Sequence, residues 1–132
     1  MIKSIVPALG VVLLIAGMYA ETRPPAVSID TDTFSVRGGI YSDAIPVSRI
    51  TSVSLEQSIP PIRVRTNGFA FAGMLRGYFD VEGLGNGQLF LDGRTPPYVV
   101  VRADQKFVIV NFDDPERTRA LFAELSRKTH KG

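Results

Sequence analysis

The sequence has no cysteine and no tryptophan, and it carries a single histidine among 132 residues. Without cysteine there are no disulfide scaffolds, no thiolate metal sites and no thiol nucleophile. His130 stands three residues from the end, and with no second histidine or any cysteine the usual zinc and copper ligand sets cannot be assembled. A serine triad would have to recruit that same terminal imidazole. Length excludes the barrel enzymes and the two-domain nucleotide enzymes. Charge of one sign is also scarce, with 15 basic against 13 acidic side chains. Residues 24–132 hold 13 of the bases and 12 of the acids, which gives no electrostatic ground for nucleic-acid binding. The expectation is therefore a non-catalytic protein with no cofactor and no metal.

What the sequence does contain is an apolar front. Fifteen of the first 20 residues are hydrophobic, and Ser4–Ala20 is a run of 17 uncharged residues, the lower limit for a helix crossing about 30 Å of hydrocarbon. A signal peptide has the same outline. Cleavage after Ala20 would put Met18 at the −3 position, where a small residue is wanted, so the reading favoured is an uncleaved anchor. Lys3 and the amino terminus precede the run, and the positive-inside rule then places the rest of the chain outside the cytoplasm. The division expected is residues 1–23 as membrane anchor and exit linker, and residues 24–132 as one domain. The alternative is a secreted carrier of a small apolar ligand, released by cleavage of the leader.

Past Pro25 the pattern alternates. Val27 and Ile29, then Phe34 and Val36, are separated by polar residues in the period-two signature of half-buried strands. Ile45, Val47, Ile50, Val53 and Leu55 continue it less strictly, with Pro46 at an edge or strand start. Gly77–Val81, Leu89–Leu91, Tyr98–Arg102 and Lys106–Phe112 are further strands, about seven in all. The stretch Gly83-Leu84-Gly85-Asn86-Gly87 predicts a hairpin turn, its Asn-Gly pair supplying positive φ. Asp30 and Asp32 suit a turn, and Asp113 or Asp114 suits a helix cap. After Pro115 the period becomes helical, with Thr118, Leu121, Phe122 and Leu125 on one stripe, predicting a helix from Asp114 to about Lys128. The fold class is mainly β with one C-terminal helix: a strongly bent antiparallel sheet or partly open barrel of about seven strands, closed by an amphipathic helix.

The order of these strands resembles the pleckstrin-homology (PH) fold, and the local spellings are similar to the bacterial PH domains found beside membrane segments. The stretches that carry the resemblance are Ile45-Pro46-Val47-Ser48-Arg49-Ile50-Thr51-Ser52-Val53, Asn67-Gly68 followed by Gly77-Tyr78-Phe79, Leu89-Phe90, Pro97-Tyr98-Val99-Val100, and Asp114-Pro115-Glu116. Together they span about Val27 to Leu125. Eukaryotic PH domains have a tryptophan in the closing helix, where this chain offers Phe122, and a basic first hairpin, where it offers only Arg37-Gly38-Gly39. The resemblance implies an interaction or assembly module rather than an enzyme. Its partner is expected to be another membrane protein, a second copy, or anionic lipid headgroups.

Charge is segregated along the chain. Five arginines oppose Asp43 and Glu56 between Arg37 and Arg76, whereas seven acids oppose three bases between Asp80 and Glu116. Guanidinium forks suit phosphate and carboxylate, so the candidate anion or headgroup site is Arg63 and Arg65, then Arg37 and Arg76. Phe69 and Phe71 come next, as core residues or, near a bilayer, as interfacial ones.

Overall fold

The computed structural model describes residues 24–130, with the side chains of residues 64–66 left outside that description. The expected anchor, residues 1–23, lies outside the described residues. Among the described residues no helix is long and apolar enough to cross a membrane.

Nine strands and one α-helix succeed one another along the chain. They are β1 (Ala26–Ile29), β2 (Thr33–Gly38), β3 (Tyr41–Pro46), β4 (Ile50–Glu56), β5 (Ile62–Phe71), β6 (Met74–Val81), β7 (Gly85–Leu91), β8 (Tyr98–Ala103), β9 (Lys106–Asn111) and α1 (Pro115–Thr129). The strands form two sheets, one of three in the order β1-β2-β3 and one of six in the order β4-β8-β9-β7-β6-β5. The expected class, mainly β with a closing C-terminal helix, is what is observed. The sheet is not closed, and one pair departs from the antiparallel expectation: β7 and β9 run parallel, Gln88 opposite Val108 through Leu91 opposite Asn111. Residues 92–97 carry the chain past β9 to β8, and β9 then returns between β8 and β7.

The count exceeds seven for local reasons. The loosely alternating stretch around Pro46 is broken by a 3-10 turn, Val47–Arg49, into β3 and β4. β5 is an edge strand paired only with β6, and its register shifts between Ile62 and Val64 and between Arg65 and Asn67, which breaks the period. The chain turns between β6 and β7 at residues 82–84, with positive φ at Gly83 and Gly85, so Asn86-Gly87 lies inside β7 rather than at the turn.

The six-stranded sheet is apolar on both faces. On one face Phe90, Val99, Val101, Val108 and Val110 meet Phe34, Val36 and Ile45 of the small sheet and Leu121 and Leu125 of α1. Phe122 packs at the margin of that core, half-buried, at the place where the resemblance puts a tryptophan. On the other face Phe79, Leu89, Leu91, Phe107 and Ile109 pack together. The Phe107 ring lies directly over Gly87, and the Phe79 ring over Gly68.

Helix α1 starts where Asp114 accepts the Glu116 amide at 3.0 Å, so Asp114 rather than Asp113 is the cap. Thr118, buried in the first turn, accepts the Phe112 amide at 2.9 Å and ties the strand end to the helix. Asp114→Ala is expected to cost about 1 kcal/mol, seen as a lower thermal midpoint by circular dichroism. Asp114→Asn, which keeps an acceptor, should restore most of it.

Candidate functional site

The four candidate arginines do not form one cluster. Arg37 is exposed on β2, opposite Ala26 on one side and Ser42 on the other. Arg63, on β5, is ion-paired across to β6, its Nη2 3.1 Å from Asp80 Oδ2. Arg65 stands opposite Phe79 in the β5–β6 ladder, and its side chain is outside the described set. Arg76 is fully buried, and its Nη1 donates to the Leu75 carbonyl at 3.0 Å and to the Leu91 carbonyl. The expectation that Arg76 offers a surface guanidinium is corrected by its neighbour. Gly38 of β2 crosses so closely that a Cβ there would sit 2.4 Å from Arg76 Cδ and 2.7 Å from Nε. The arginine is a packing element of the crossing, sealed by a residue with no side chain.

That crossing is where the β2–β3 hairpin lies over the β5–β6 hairpin. Tyr41 reaches across it, its hydroxyl donating to Asn67 Oδ1 at 3.4 Å and its ring standing over Gly77. Gly77 is required there: its φ is +110°, and a Cβ would meet the Asn67 carbonyl at 2.6 Å. Next to Arg76 in the ladder stands Phe69, half-buried, its ring 6.4 Å from that of Phe71 and tilted by 32°. Phe71 faces Met74 across a two-residue turn, Ala72 and Gly73, both at positive φ. Phe71 is thus surface and Phe69 marginal, where the sequence left core and interface open. Three large apolar side chains of the described residues are conspicuously exposed: Ile40 at 83%, Phe71 at 54% and Tyr78 at 38%. Ile40 is in the β2–β3 tip, Phe71 is at the β5–β6 tip, and Tyr78 is two residues beyond Arg76, opposite Asn67. All three surround one crossing, an arrangement sequence reasoning missed because the contact between the two hairpins is not local.

Three acidic residues, Asp30, Asp80 and Asp92, are occupied by neighbours in the fold. Asp30 Oδ1 accepts the amides of Asp32 at 2.9 Å and Thr33 at 2.8 Å, closing the β1–β2 turn as expected. Asp80 holds Arg63, and Asp92 Oδ2 accepts the Asp113 amide at 3.0 Å. The amides of Asp32 and Thr33, and more weakly the charge of Lys128, hold the Asp30 carboxyl below its ordinary value. A carboxyl whose folded value is depressed adds stability above its unfolded value and loses it as pH falls through the folded one. An NMR titration of the Asp30 carboxyl carbon should therefore give a midpoint below that of an exposed aspartate, and Asp30→Asn should flatten the acid limb of stability. Among the described residues no group of three or more His, Cys, Asp or Glu could hold a metal ion. A cleft of about 500 Å³ borders β4 and β8, lined by Ser54, Glu56, Ile59, Pro61, Val100 and Arg102 among others.

A family model described as bacterial PH domain matches residues 26–128, from the first strand through nearly all of α1. No curated protein and no solved structure matches the chain.

Proposed function

As the chain belongs to the bacterial PH domain family, we propose that it is a membrane-anchored, non-catalytic interaction module, held at the bilayer by residues 1–23. The observation that carries this reading is the family match from β1 to α1, which leaves outside it, on the amino-terminal side, little but a segment with the composition of a membrane span. Five residues, Glu21-Thr22-Arg23-Pro24-Pro25, separate Ala20 from the first strand. Fully extended they reach about 17 Å, so the anchor keeps the domain against the membrane surface and restricts its partner to something found there. The orientation favoured by Lys3 puts the domain on the extracytoplasmic side.

Sequencing the amino terminus of the protein recovered from membranes tests the anchor. A start at Met1 or Ile2 is expected, and a start at Glu21 would contradict it. A topology reporter fused after Gly132 should be active outside the cytoplasm.

A further inference from the structure

We propose that the crossing of the two hairpins is a bilayer-contact surface, with Ile40, Phe71 and Tyr78 entering the interfacial region and Arg37 and Arg94 facing anionic headgroups at its rim. The inference deepens the anchored reading and rests on it. Scattered exposed apolar residues are ordinary on a protein surface. Here they are not scattered: Gly38 touches Arg76, Arg76 is laddered with Phe69, Phe69 contacts Phe71, and Tyr41, next to Ile40, reaches Asn67, whose ladder partner is Tyr78. The β2–β3 tip is held on the β5–β6 hairpin at Arg76 and Gly77, two and three ladder positions from Phe71.

Register decides what covers them. Ala26 is opposite Arg37 in the antiparallel β1–β2 ladder, and Ile29 is opposite Phe34. Traced backward from Ala26, the chain therefore runs past the level of Gly38 towards that of Gly39, beside the Ile40 tip. Pro24 leaves the domain at the end that carries the apolar patch, and the uncharged run ends at Ala20, with only Glu21-Thr22-Arg23 between them. An anchored domain presents that end to the bilayer. Phenylalanine and tyrosine suit the headgroup boundary, and arginines beside them suit anionic lipid. Arg37 is exposed one residue from Gly38, and the Arg94 stem lies 3.5 Å from where a Gly73 Cβ would stand, against the Phe71 turn.

The chain lacks tryptophan, so a single introduced indole is the only one present. The full chain bearing Phe71→Trp or Ile40→Trp is reconstituted into vesicles of phosphatidylcholine and phosphatidylglycerol, with Ala123→Trp, exposed on α1, as the control. Positions 40 and 71 should emit at shorter wavelength than 123 and be quenched by brominated lipid at least about twofold more strongly, as an interfacial ring would be. Circular dichroism checks folding, and exposed positions tolerate the exchange. If the chain floats with the vesicles but the three positions are quenched alike, this inference is overturned while the anchored reading survives. Failure to float removes the anchored reading, and this one with it. A blue shift without vesicles that grows with protein concentration would assign the patch to a second copy instead, and would also overturn it.

Discussion

Asn111→Ala is expected to lower the stability of the full chain by about 3 kcal/mol, since each buried polar group left unpaired costs about 1–3 kcal/mol. Asn111 ends β9, is fully buried, and fastens the crossover that makes the β7–β9 pair parallel. Its Oδ1 accepts the Asp92 amide at 2.9 Å, and its Nδ2 donates to the carbonyls of Gly93 and Thr95, each at 3.0 Å. Removing the amide strands the Gly93 and Thr95 carbonyls, while the Asp92 amide keeps only its long bond to the Asn111 main-chain carbonyl at 3.4 Å. At about 4 °C per kcal/mol for a domain of this size, the thermal midpoint should fall by roughly 10 °C or more. Asn111→Asp is the sharper variant. It keeps the acceptor for Asp92 but turns an oxygen towards two carbonyls, and it should rescue little. A midpoint within about 2 °C of the parent for both variants would show that the crossover holds itself.

Gly87→Ala should destabilise by a comparable amount, about 2–3 kcal/mol. A methyl at position 87 would lie 2.4–2.6 Å from three atoms of the Phe107 ring. Phe107 is itself buried on the filled face of the six-stranded sheet, beside Ile109 and Leu89, so the ring has no vacant volume to move into. Denaturant unfolding of the full chain is the measurement: the midpoint should fall with an unchanged slope. The double variant Gly87→Ala, Phe107→Leu removes the obstructing ring, and it should lose less than the sum of its single substitutions. Strict additivity would contradict the packing of Phe107 on Gly87.

Gly87 also shows where the sequence was legible and where it was not. An Asn-Gly pair beside two further glycines spells a turn, yet the turn falls at residues 82–84 and Gly87 is a seat for an aromatic ring contributed from twenty residues downstream. Local pattern carries local facts well: the Asp30 turn, the Asp114 cap, the buried Thr118–Leu121–Leu125 stripe and the β8–β9 hairpin at Asp104 are all readable from neighbours in sequence. The candidate site depends on contacts between distant segments. Arg76 looks like a surface charge until Gly38 is seen to cross it, and Arg63 looks free until Asp80 is placed beside it. Ile40 is a single apolar residue in a glycine turn, and only the Tyr41–Asn67 contact brings that turn onto the β5–β6 hairpin, while the β1–β2 register puts Pro24 at the same end.

Both the interaction role and the bilayer-contact surface depend on the domain being held at the membrane by its first 23 residues. Membranes from cells producing the full chain, extracted with alkaline carbonate, measure this most directly. An anchored protein stays in the membrane pellet, and a chain beginning at Glu21 is released. Release of the full chain into the supernatant would contradict the anchor.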